Sequence, residues 1–154
     1  MIKDKLVLGM ILGAVANLVK CLLSIFLFFS GALDCLFCHM AAGMFFRDIS
    51  LSSFPFAALL VGFCADFILG AFLGVFFIYL LHFTGPRFFL SKGFGYGGAV
   101  WFLFTGGLMS LGITSIMESH PWHSLILLLL HILYGMLLGI LAQKYGAQAF
   151  LENP

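Results

Sequence analysis

Residues 6–30 read LVLGMILGAVANLVKCLLSIFLFFS. At about 1.5 Å of rise per residue this run crosses the roughly 30 Å of bilayer hydrocarbon. It carries one ionisable side chain, Lys20, well inside its ends. An amphipathic soluble helix would show a charged face, and this segment has none. The stretch reads as a membrane-spanning helix with a single buried charge.

Three more apolar runs follow, at about residues 56–83, 95–117 and 122–143. Pro55 opens the second run, and Thr84, Gly85 and Pro86 close it. Pro121 stands near the first helical position of the fourth, where its missing N–H does no harm. The chain is 63% hydrophobic and 8% charged, against roughly half and a quarter in soluble domains. Its 154 residues cannot bury that much apolar surface, so lipid is part of the solvent. Backbone groups in lipid must be paired within their own segment, which makes the runs helices. The expected fold is all-α: one integral membrane domain over residues 1–154, a four-transmembrane-helix bundle. The first run outlasts a signal-peptide core and reads as an uncleaved signal anchor. A net charge of +1 offers no footprint for nucleic acid.

Loop charges give the expected orientation. Lys3, Lys5, Arg87, Lys92 and Lys144 fall on one side, and only Arg47 on the other, with Asp34, Asp48 and Glu118. This asymmetry predicts cytoplasmic termini. Residues 31–46 are too apolar for an ordinary loop. They prolong the first helix, lie in the interface or re-enter the membrane.

Charge within a span is costly and needs a partner or a purpose. Lys20, Asp66 and His131 lie near mid-membrane depth in spans one, two and four, and Asn17 precedes Lys20 by one turn. Together they form a candidate polar layer, with Lys20 and Asp66 as mutual counter-ions and His131 in hydrogen-bonding reach. Two readings stand. The layer fixes helix register as a buried ion pair, or it serves as a relay or binding point for an ion, proton or small solute.

Glycines four apart share one helix face and let backbones approach closely. Gly9 and Gly13 lie in span one, Gly62, Gly70 and Gly74 in span two, and Gly135 and Gly139 in span four. Residues 66–74, DFILGAFLG, and 131–139, HILYGMLLG, share the pattern ionisable-x3-Gly-x3-Gly. An offset of 84 also aligns Gly9 and Gly13 with Gly93 and Gly97, and Asp34 with Glu118. The chain therefore reads as two helical hairpins, with duplication and coincidence both open.

On the outer side, residues 35–39, CLFCH, match the C-x-x-C-H pattern of c-type haem attachment. Cys35 and Cys38 would bind the vinyl groups and His39 the iron. A redox dithiol and simple packing are the alternatives. Asp34, Glu118, His120 and His123 are weak candidates for a metal site of nitrogen and oxygen ligands. No Ser-His-Asp set or HExxH motif occurs, and the glycine-rich stretch at residues 92–98 lacks the ordered Gly-Lys-Ser/Thr of a P-loop.

Residues 92–101, KGFGYGGAVW, and 131–139, HILYGMLLG, resemble segments of small bacterial membrane proteins of the YqhR type. Through its glycine-rich first span with Lys20 the chain is more distantly similar to YagU-like proteins. The resemblance implies a four-helix inner-membrane protein of a bacterium without an established activity, and C-x-x-C-H is not part of its pattern. The expected role is non-enzymatic, structural or accessory, with no cofactor and with the lipid bilayer, a second copy or another membrane protein as partner. The alternatives are permeation of a small solute, ion or proton through the polar layer, and haem or dithiol redox chemistry at Cys35, Cys38 and His39.

Overall fold

The computed structural model describes residues 3–108, 110–116, 120–146 and 149–150. Regular structure among them is entirely helical. Helix α1 spans Lys5–Phe29, the short α2 Phe37–Ala42, α3 Phe56–Thr84, α4 Phe89–Trp101 and α5 Pro121–Tyr145. A 3-10 turn at Leu51–Ser53 precedes α3, and α4 continues into a π-helical segment at Phe102–Leu108. Three helices, α1, α3 and α5, are long and apolar enough to cross a membrane.

The third run departs from its expected boundaries. Its helix begins at Phe89 instead of residue 95, and the chain turns at Leu111 and Gly112, before the expected end. Residues 89–94 look like a loop by hydropathy, because glycine and Lys92 dilute the apolar signal. Those glycines are what allow α4 to pack. The far end widens into π-helix at Gly106 and Gly107, and the chain turns at Gly112, where φ is 64°.

Local chemistry sets the helix ends. Asp4 accepts a hydrogen bond from the Val7 N–H at 3.0 Å and caps α1. Gly31, at φ 77°, ends α1 in a Schellman motif: Ala32 N–H donates to the Leu27 carbonyl and Gly31 N–H to the Phe28 carbonyl. Lys92 Nζ donates to the carbonyls of Thr84 and Gly85 at 3.0 and 2.7 Å, and so closes α3 from the first turn of α4. Lys92→Met should lower stability by about 1 kcal/mol. Denaturant titration in micelles reads this, and an unchanged midpoint would mean that water replaces the cap at no cost.

The helices pack as two pairs, α1 with α3 and α4 with α5, and α1 joins the pairs through α5. The buried stripe on α3 is Ala58, Gly62, Asp66, Gly70, Gly74 and then Phe77, Ile78 and Leu81. It is one row of residues four apart, so most of α3 faces outward, including Ile68, Phe72, Phe76 and Phe83. A Cβ at Gly9 would lie 2.5 Å from Val75 Cα, and one at Gly74 2.5 Å from Gly13 Cα. In the second pair, Gly93 and Gly97 meet the Gly135 and His131 carbonyls, and Gly139 meets the Phe89 carbonyl. These are backbone-to-backbone approaches that only glycine permits.

Gly9 meets Val75 as Gly93 meets Met136, and Gly13 meets Ala71 as Gly97 meets Ile132. The first helices correspond at an offset of 84 and the second at 61. The sequence pattern had paired Asp66 with His131, an offset of 65. By glycine contact the counterpart of His131 is Gly70, one helical turn from Asp66. The residue-type pattern followed the ionisable side chains, whereas the packing follows glycine-to-carbonyl contacts. The proposed match of Asp34 with Glu118 lies outside the described residues.

Residues 31–46 fold back. Phe37 reaches Lys20, whose Nζ lies 4.0 Å from the ring centroid. Lys20 is nine residues, or about 13 Å, before the end of α1, so the Phe37 ring meets a side chain rooted well inside that helix. Gly62 makes room for this return, since a Cβ there would collide with the Cys38 carbonyl and lie 2.9 Å from Ala42 Cβ. Two apolar clusters result. Leu8, Leu12, Phe77, Leu81, Leu138 and Ala142 fill the end that carries the start of α1 and the end of α5. Leu33, Phe37, Met40, Ile116, Leu127 and Leu130 fill the end at α2.

Candidate functional site

The polar residues lie between the two apolar clusters. Asn17 and Lys20 are on the buried face of α1, 1% and 5% exposed, and Asp66 on that of α3, 6% exposed. Lys20 Nζ is 3.1 Å from Asp66 Oδ1. Asp66 Oδ2 accepts from Asn17 Nδ2 at 2.9 Å and from the Cys21 thiol at 3.1 Å. Asn17 Nδ2 also reaches the Asp66 carbonyl at 3.2 Å. Both carboxylate oxygens are thus occupied, as a charge in low dielectric requires. Close approach at Gly70 makes this geometry attainable: a Cβ there would lie 2.6 Å from Asn17 Cγ.

His131, 8% exposed, is not bonded to the ion pair. Its Nδ1 is 2.8 Å from the Leu127 carbonyl, one turn back along α5. A carbonyl only accepts, so Nδ1 carries a proton. The ring packs edge-on against Phe37, at 5.1 Å between centroids. The local carbonyl competes successfully because a histidine four residues on can reach it without leaving its helix.

These groups share a cavity of ≈ 90 Å³, room for about three waters at roughly 30 Å³ each. Asn17, Lys20, Asp66 and His131 all line it, and so do Tyr134, Thr105 and Thr114. Tyr134 donates to the Gly70 carbonyl at 2.6 Å, and Thr114 to the Met40 carbonyl at 2.8 Å. Thr105 belongs to the π-helical segment. Such segments recur at functional sites because an extra residue per turn re-aims the side chains. Tyr134, Thr105 and Thr114 did not enter the sequence reading. Tyr134 alone carried a signal there, one turn from His131 on the same face.

Two sealed polar atoms have no partner among the described residues: Asn17 Oδ1 and Trp101 Nε1. Trp101 occupies on α4 the place of Asn17 on α1, 84 residues on. Of the two residues, Asn17 lines the cavity.

The candidates near α2 and the start of α5 have other surroundings. Cys35 is 1% exposed in the α2-end cluster, and all four cysteines are free thiols. His39 Nδ1 accepts from the Leu36 N–H at 3.1 Å, and its ring packs between Phe28 and Phe54. Asp34 Oδ2 is 3.2 Å from His123 Nδ1, and the rings of His120 and His123 are 5.3 Å apart. Glu118 lies outside the described residues. No group of three or more His, Cys, Asp or Glu able to hold a metal occurs among the described residues.

No protein-family model matches the sequence, and neither a curated protein nor a solved structure is significantly similar to it. The function must therefore be argued from the site.

Proposed function

We propose that the chain is a non-enzymatic, four-span protein of a bacterial cytoplasmic membrane, with both termini inside, that lets a small solute or ion pass by way of the mid-membrane cavity. The cytoplasmic termini follow from the loop charges. The third span in chain order would be α4 with its π-helical extension, together 20 residues. Two hairpins packed by the same glycine-to-carbonyl contacts support a duplicated unit.

One observation carries the permeation reading: the intramembrane ion pair borders a cavity instead of being closed by apolar packing. A register-fixing pair needs no space beside it. Thr105→Leu should fill the space from the π-helical wall without touching the pair. In liposomes holding the purified protein, wild type should speed the entry of at least one small polar solute or ion over protein-free liposomes. Thr105→Leu should abolish the gain while keeping the wild-type circular dichroism and denaturation midpoint. A folded wild type that passes neither solutes nor ions leaves the structural or accessory role in its place.

A further inference from the structure

We infer that the mid-membrane cavity is entered sideways from the lipid, between α3 and the π-helical segment, and takes the uncharged hydroxyl or carboxyl head of a single-chain amphiphile. Such binding goes beyond the function proposed above, because it needs no passage across the membrane.

The cavity has one open side. Apolar clusters lie at both of its ends, around Leu8, Phe77 and Leu81 and around Leu33, Leu127 and Leu130. Reaching it from either end means parting one of those clusters. The wall residues from α1 and α5, namely Asn17, Lys20, His131 and Tyr134, are all buried. The half-buried and exposed wall residues come from elsewhere. They include Leu69 and Leu73 of α3, Phe104 and Thr105 of the π-helical segment, and Met44 and Ile113. These ring a mouth on the side where α3 and α4 barely touch. Two hydrogen bonds frame it: the Tyr96 hydroxyl donates to the Leu73 carbonyl at 2.6 Å, and the Thr114 hydroxyl to the Met40 carbonyl at 2.8 Å.

The mouth faces acyl chains. Leu69 stands at the middle of α3, a helix long and apolar enough to span. The flanks of the mouth are Ile68 and Phe72 on one side and Phe102 and Leu103 on the other, each at least 59% exposed. At mid-membrane depth such side chains meet hydrocarbon. A ligand arriving there is dissolved in the bilayer and carries an alkyl chain. Leu69 also borders an apolar groove on the outward face of α3, with Leu60, Val61, Ile68 and Phe72. That groove is a track for the chain once the head is inside.

The cavity sets the chemistry of the head. Its ≈ 90 Å³ holds about three waters, and so a head of about three non-hydrogen atoms. A glycerophosphate group is too large. Lys20 and Asp66 already neutralise each other at 3.1 Å, so a charged head would gain no free counter-ion. The wall offers hydrogen bonds of both kinds. The Lys20 ammonium has three N–H groups and spends one on Asp66 Oδ1, and the Thr105 hydroxyl both gives and accepts. A hydroxyl or carboxyl head, itself donor and acceptor, finds partners here that plain hydrocarbon lacks.

The test is photolabelling of the full chain in phosphatidylcholine nanodiscs. The probe is a long-chain alcohol with a diazirine close to its hydroxyl, and adducts are mapped by mass spectrometry. Adducts should fall on residues of the mouth such as Met44, Leu69 and Thr105. Excess oleyl alcohol should cut them about tenfold, and hexadecane, a chain without a head, should not. Leu69→Trp narrows the mouth and should also cut them about tenfold. The competition arms need no variant and decide the matter even where Leu69→Trp fails to fold. Oleic acid distinguishes the sources of the head: its competition admits carboxylic acids, its failure restricts the head to an alcohol, and either result fits the site. Adducts confined to outward residues such as Ile68 and Phe72, or equal competition by hexadecane, overturn the inference. Full labelling of the mouth in folded Leu69→Trp overturns entry from the lipid. A protein that labels at the mouth but passes nothing in liposomes keeps this site and loses permeation. Flux without labelling at the mouth removes this site alone.

Discussion

Lys20→Met should destabilise the protein by about 3–5 kcal/mol, the range for removing one partner of a buried ion pair. The loss comes chiefly from what remains. Asp66 is 6% exposed, and without Lys20 its charge has only Asn17 and Cys21 to stabilise it. The double variant Lys20→Met with Asp66→Leu should recover most of the loss, because both desolvation penalties disappear together. Denaturant titration of the four proteins of the cycle reads the coupling directly. Losses that simply add would show that the two side chains do not depend on each other, and the polar layer would lose its basis.

The second large effect belongs to glycine, and its sign depends on position. Gly74→Leu places a side chain against Gly9 and Gly13 backbone. Rotamer change cannot relieve a clash with main chain, so α1 and α3 must separate. The cost should reach about 3 kcal/mol, the upper part of the overpacking range. The same separation would pull Asn17 and Lys20 away from Asp66, so the ion pair should fail with the packing. Gly95 and Gly98, on α4, have open space where a Cβ would stand. Gly95→Ala and Gly98→Ala should be neutral or stabilise by about 0.5–1 kcal/mol, since alanine suits a helix better. A thermal melt of the three variants in micelles checks the contrast. A Gly74→Leu protein as stable as wild type would mean that α1 and α3 do not touch through this face.

Why some of this was legible in the sequence follows from the energetics. Lys20 and Asp66 could be paired from depth alone, because an unpaired charge in hydrocarbon is so unfavourable that the alternatives are few. The bounds of α1, α3 and α5 could be read because long apolar runs end at Asp4, Gly31, Gly85 and Pro121, residues with definite effects on helix ends. The third segment was obscured because Gly93 and Gly97 serve α5 and dilute the hydropathy that marks a span. The return of α2 could not be chosen over an interfacial helix, since its depth depends on the Gly62 contact, a tertiary fact. His131 lines the same cavity as the ion pair but bonds the Leu127 carbonyl of its own helix. Depth fixes neither a rotamer nor the helix carbonyl within its reach. The cavity itself was invisible, because its far wall comes from the π-helical turn and from Thr114 beyond it.

The central claim is that the ion pair borders a space that a small solute or ion passes through. A high-resolution structure of the protein in lipid tests it most directly. The expected result is solute or water density in the cavity beside His131, with Lys20 still on Asp66. A closed site, with side chains filling the space beside the pair, would contradict it.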